Sequence, residues 1–144
     1  MTYQILLLPL AAGLLAQMCK FFIKSNRQKW DLKNITAYSG MPSGHSAMVV
    51  SLASIIGLTQ GVQSPLFAVT AILAVIVIRD ALGIRRYLGQ HGHMLNVLVN
   101  DLKNDEVLDA KYPRLLEKIG HTPVQVMAGS LLGLAVSLAG YWLF

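Results

Sequence analysis

The chain has 144 residues, of which 54% are hydrophobic and 13% charged, with a formal net charge of +5. That charge content is about half that of a soluble domain. A single domain of this size has too little interior to hide so much apolar sequence, so lipid is the expected surround. Apart from Lys20, Lys and Arg fall in two polar segments without the interleaved aromatics of a stacking platform, which excludes nucleic acid as a partner. The lone Cys19, at the end of an apolar run, excludes a disulfide framework.

In chain order, the first apolar segment runs from Tyr3 to Ile23. No Lys or Arg precedes its hydrophobic stretch, so it reads as a retained membrane helix rather than a signal peptide. A basic segment follows, from Lys24 to Gly44, and then two apolar runs, Ser46 to Gly61 and Pro65 to Leu82, joined by an uncharged link. Both runs are marginal against the length of about 20 residues that a bilayer demands, and are expected to borrow polar flanks or sit inside the bundle. The second polar segment, Arg79 to Pro123, contains a short apolar helix expected over His91 to Leu102, interfacial or half-inserted because it is too short to span. Asp101 to Lys118 reads as a surface-lying amphipathic helix broken near Pro113. The last span is Val124 to Phe144, where Gly129, Ser130, Gly133, Ala135, Ser137, Ala139 and Gly140 suit close helix packing.

The expected architecture is therefore all-α: one domain over 1–144, a polytopic membrane bundle of about four transmembrane helices plus short interfacial or half-inserted helices. Four spans put the two basic segments on one side of the membrane, which the positive-inside rule makes the cytoplasmic side of the cell membrane.

Gly40-Met41-Pro42-Ser43-Gly44-His45-Ser46 stands at the entry to the second span. Pro42 stiffens the approach, Ser43 is suited to cap, and Gly44 permits close backbone approach to a ligand. The first amides of the helix that follows have no partner within it, and its dipole favours an anion there. The competing reading is an ordinary helix cap with a bystander histidine. Cations beside apolar segments are costly and usually have a ligand or partner. Lys20 and, after six intervening residues, Arg27 flank the first span, and Arg85 is followed after five residues by His91. For Lys20 the competing reading is snorkelling to the interface, and for Arg27 positive-inside flanking charge.

These residues resemble a known family. Lys20-(six)-Arg27, Pro42-Ser43-Gly44-His45 and Arg85-(five)-His91 match, in order, the three signature motifs of the type 2 phosphatidic acid phosphatases and vanadium-dependent haloperoxidases. Asp80-Ala81-Leu82-Gly83-Ile84-Arg85-Arg86, Leu95-Asn96 and Gly120-His121-Thr122-Pro123 look like the divergent, haloperoxidase-related membrane branch. The resemblance implies a phosphatase without metal or other cofactor, acting on a phospholipid or polyprenyl phosphate. Lys20, Arg27 and Arg85 would neutralise the phosphoryl oxygens, with amides around Ser43 and Gly44 completing the cradle. His45 would protonate the leaving oxygen and His91 would attack phosphorus. Gln28, Ile84 and Leu95 stand where the motifs usually have Pro, Ser and Asp, so no carboxylate is assigned to orient His91.

Asp80, Arg86 and Asn96 are supporting candidates, and together with Arg85 they have an alternative reading as a structural network holding the short helix. A zinc set of His45, His91, His93 and His121 is disfavoured because no acidic or Cys ligand completes it. His121 otherwise reads as stabilising the start of the last span. The alternative function is a non-catalytic membrane protein that binds a phosphorylated lipid or partner through the same cradle. A homodimer is expected, because the superfamily's core bundle has more helices than four spans supply.

Overall fold

The computed structural model describes residues 2–23, 40–101, 114–117 and 119–143. Among the described residues there are five helices: α1 (Thr2–Phe22), α2 (Gly44–Gln60), α3 (Pro65–Leu82), α4 (Ile84–Asp101) and α5 (Pro123–Leu143). Among the described residues there is no strand. Three stretches of the described residues are long and apolar enough to cross a membrane, namely Tyr3–Phe22, Pro65–Asp101 and Pro123–Leu143. The chain is an all-α membrane bundle.

Local chemistry sets the helix starts. The Ser43 hydroxyl accepts from the Ser46 amide and caps α2, and Ser64 caps α3 with Pro65 in its first turn. At α5 the cap is reciprocal: the Thr122 amide donates to Gln125 Oε1 at 3.0 Å and the Gln125 amide to Thr122 Oγ1 at 3.4 Å. This is a capping box, in which two orphan donors are satisfied together.

α2 lies at the centre and packs on α1, α3 and α5. At 17 residues it is short for a span, and it buries Ala47, Ser51, Ile55 and Ile56. Of the two marginal runs it alone sits inside. α3 instead leaves Val69, Ile72, Val75 and Ile76 exposed on its outer side, a face for lipid.

The seam between α2 and α5 consists of two rows of small residues spaced by four, Ser43-Ala47-Ser51 against Gly129-Gly133-Ser137. A Cβ added at Gly129 or Gly133 would overlap the carbonyl oxygen of Ser43 or Ala47. Ser51 Oγ and Ser137 Oγ are 2.8 Å apart, and the Ser137 hydroxyl donates to the Ser51 carbonyl at 2.8 Å. Close backbone approach and interhelical hydrogen bonds hold helices together where lipid offers no hydrophobic drive.

The helix expected from His91 starts earlier, at Ile84. Arg85 and Arg86 resemble loop charges in sequence, but Arg is a good helix former, and only Gly83 separates α3 from α4. Gly89 and Gly92 are buried on one face of α4, where a Cβ would meet the carbonyl oxygens of Glu117 and Leu116 at 2.5 and 2.9 Å. Asn96 fastens the returning segment there. Its amide donates to the Leu115 carbonyl and its oxygen accepts from the Leu115 amide, both at 2.9 Å. Its amide also donates to Glu117 Oε1 at 2.8 Å, while Glu117 Oε2 lies 2.9 Å from His93 Nδ1. Residues 114–117 are therefore not the amphipathic helix expected there, and the rest of that helix, 102–113 and 118, lies outside the described residues. The opposite face of α4 exposes Ile84, Leu88, Leu95 and Leu98.

Candidate functional site

Five helix ends meet at one end of the bundle: the last turns of α1 and α3 and the first turns of α2, α4 and α5. Backbone bonds fasten the junction. The Ser43 amide donates to the Gln125 carbonyl at 3.0 Å, and the His121 amide to the Ala81 carbonyl at 3.0 Å. Gly120 makes the second contact sterically possible. Its φ is +93°, and a Cβ there would lie 2.7 Å from the Arg86 amide nitrogen. Only glycine takes that conformation and that proximity together.

Lys20, in the last turn of α1, is only 2% exposed. Ser43 is fully buried, with its hydroxyl accepting from Ser46 Oγ at 3.0 Å as well as from the Ser46 amide. Because the Ser43 amide is engaged by Gln125, the amides at the start of α2 without a partner among the described residues are those of Gly44 and His45. At the junction of α3 and α4, Arg85 Nε donates to Asp80 Oδ2 at 2.5 Å, each side chain 32% exposed. That bond uses one of the five guanidinium donors.

The His45 ring is half-buried, and its centroid lies 6.5 Å from that of His121, with the rings tilted by 57°. Arg85, Lys20 and Asp80 all act electrostatically on His45, and Lys20, His45 and Arg85 on His121. His121 is 4% exposed, and its Nδ1 lies 3.3 Å from Gln125 Oε1. Burial holds the His121 pKa below the usual histidine value; the Gln125 hydrogen bond opposes this, and Lys20, His45 and Arg85 add to it. The ring is therefore neutral near pH 7.

Its tautomer follows from the partners. Gln125 Oε1 already accepts from the Thr122 amide, so it faces His121 as an acceptor and Nδ1 carries the proton. Nε2 is left with its lone pair.

Of the sequence candidates, Lys20, Ser43, Gly44, His45, Asp80 and Arg85 come together here. Arg27 lies outside the described residues. Arg86 is exposed, with its backbone beneath Gly120, and Asn96 serves the returning segment. His91 is not brought to the cluster. It is exposed, and among the described residues no hydrogen bond, ion pair or ring contact reaches it. Two residues past Gly89 on a helix is a rotation of about 200°, which sets His91 in the exposed row of Ile84, Leu88, Leu95 and Leu98.

The two residues that the motifs did not supply are His121 as a neighbour of His45, and Gln125. A signal was present. His121 is followed four residues later by an acceptor at a helix start, the spacing that Leu95 leaves unfilled after His91. Among the described residues, no three His, Cys, Asp or Glu side chains are grouped to hold a metal, and His93 is paired with Glu117 instead.

Fold and cluster together define a helical membrane protein with cations and two imidazoles gathered at an anion-ready helix start. The chain belongs to the divergent PAP2 family, which it matches over residues 1–136. It is 40% identical over 152 aligned positions to the uncharacterized membrane protein YuiD of Bacillus subtilis (strain 168), covering 96% of this chain and 94% of that protein. No solved structure matches.

Proposed function

We propose that this chain is a membrane phosphatase acting on amphiphilic phosphates, of the phosphatidic acid or polyprenyl phosphate type. The observation that carries the reading is the meeting of Lys20, Arg85, His45 and His121 at a helix start whose Gly44 and His45 amides have no partner among the described residues. Phosphoryl transfer needs little covalent chemistry from a protein. It needs positive charge around the equatorial oxygens, with nucleophile and leaving group in line. Lys20, Arg85 and the two amides supply the charge and the donors, and Arg27 joins them in this reading. His45, on the rim, protonates the leaving oxygen, and a second imidazole attacks phosphorus. The site lies at a bundle end beside lipid-facing helices, which suits a substrate with a headgroup in water and a tail in the bilayer. The reading places that end on the cytoplasmic side of the cell membrane, and the protein as a homodimer, which its mass in mild detergent tests.

The test is phosphate release from a panel of phosphatidic acids and polyprenyl phosphates in mixed micelles, with chelator present. Turnover that falls in Lys20→Met and His45→Ala supports the reading. Wild-type protein without turnover on the whole panel contradicts it. One observation favours the alternative of a non-catalytic phosphate binder: the partner of His121 is a neutral amide, which cannot stabilise an imidazolium as a carboxylate does. That alternative predicts phosphate-lipid binding that depends on Lys20 and Arg85 with no release of phosphate.

A further inference from the structure

Resting on the phosphatase reading above, we propose that His121, rather than His91, is the histidine that attacks phosphorus, and that Gln125 is the residue that positions it. A nucleophilic imidazole needs a lone pair aimed at the phosphoryl group, a fixed tautomer and a partner to hold the ring. His121 has all three. Gln125 Oε1 accepts from both the Thr122 amide and His121 Nδ1, so the ring is held and Nε2 is the nucleophilic atom. Among the described residues, the charged and titratable groups facing it are Lys20 from α1, His45 from α2 and Arg85 from α4, with Asp80 reached through Arg85. The His45 and His121 ring centroids lie 6.5 Å apart, so both imidazoles border the same helix start.

The step balances without a co-reactant other than water. The Nε2 lone pair forms the N–P bond as the P–O bond to the leaving group breaks, and His45 gives its proton to the departing oxygen. Water then attacks phosphorus, its proton passes to His45, and the N–P bond breaks to release phosphate. His91 offers none of this geometry. Its neighbours along the exposed row are Leu88 and Leu95, and no described group fixes its ring.

Gln125 also belongs to the capping box of α5, so the informative variant is Gln125→Glu, which keeps an acceptor for the Thr122 amide. A carboxylate beside Nδ1 favours the imidazolium. The acidic limb of kcat/KM should move upward by about one pH unit or more, a change that a purely structural role would not produce. Phosphoenzyme is trapped by quenching turnover of a phosphatidic acid into base, where N-phosphohistidine survives, and the modified peptide is mapped by mass spectrometry. The expected result is phosphate on His121 in both wild type and His91→Gln, with His91→Gln turning over normally and His121→Gln slowed at least about 100-fold. Phosphate on His91, turnover lost in His91→Gln but retained in His121→Gln, or an unmoved acidic limb in Gln125→Glu overturns the assignment and leaves the phosphatase reading standing. A wild type without turnover overturns both.

Discussion

Replacing Arg85 by Lys preserves the charge and removes the geometry. In the wild type, Arg85 gives Nε to Asp80 at 2.5 Å, and in the proposed reading its terminal nitrogens serve the anion. A lysine has one nitrogen on a flexible stem, and it serves Asp80 or the anion but not both in the same geometry. One charge-assisted hydrogen bond to the anion is then lost, worth about 1.5–3 kcal/mol, or roughly 10- to 150-fold in affinity. Fold stability is affected far less. Both side chains of the Asp80 pair are 32% exposed, and such a pair contributes about 1 kcal/mol at most. The assay is titration of purified protein with orthovanadate by calorimetry, with thermal unfolding measured beside it. The control is Arg86→Lys, one residue on, where the side chain is exposed and unpartnered among the described residues. If Arg85→Lys binds vanadate within twofold of wild type, or if Arg86→Lys weakens binding as much, the role given to Arg85 is wrong.

Three other perturbations reach different parts of the account. Gly133→Ala drives a methyl group into the Ala47 carbonyl, and such overpacking should lower stability by about 1–3 kcal/mol, read as an earlier thermal unfolding transition in detergent. Gly120→Ala meets both the positive φ and the Arg86 backbone; a left-handed conformation alone costs an L-residue about 1–2 kcal/mol, and vanadate affinity should fall with stability because His121 is displaced from Arg85. The third is acidification. The folded pKa of His121 lies below its unfolded value of about 6.5, so the unfolded chain binds more protons in the window between the two. Stability is full above pH 6.5 or so, and declines as pH falls through that window by about 1.4 kcal/mol per unit; thermal unfolding of His121→Gln should show a flatter profile over the same range.

Much of the fold was legible because the physics is local. Apolar runs bounded by Ser43 and by Ser64-Pro65 announce helices with their caps, and α1, α2, α3 and α5 begin and end within a few residues of the apolar segments read from sequence. Lys20, Ser43, Gly44, His45 and Arg85 were legible as site candidates through their resemblance to known motifs. The placement of His121 beside His45 was not, although Gly120-His121-Thr122-Pro123 formed part of the resemblance. That placement depends on two long-range facts: the close approach of α5 to α2 along Gly129 and Gly133, and the crossing of Gly120 over Arg86. Neither is expressed in any short stretch of sequence. For His91 the motif spacing named a site residue, whereas the structure sets it in the exposed row of Ile84, Leu88, Leu95 and Leu98. The start of α4 was obscured because Arg85 and Arg86 read as loop charges while serving as its first turn.

The central claim is that the start of α2 holds a phosphoryl group between Lys20, Arg85 and the two imidazoles. Its most direct test is an experimental structure of the full chain with orthovanadate bound. The account predicts vanadate oxygens at the Gly44 and His45 amides and at the Lys20 and Arg85 side chains, with His45 and His121 on either side of the vanadium. Vanadate bound elsewhere, or the α2 start left empty at saturating vanadate, would contradict it.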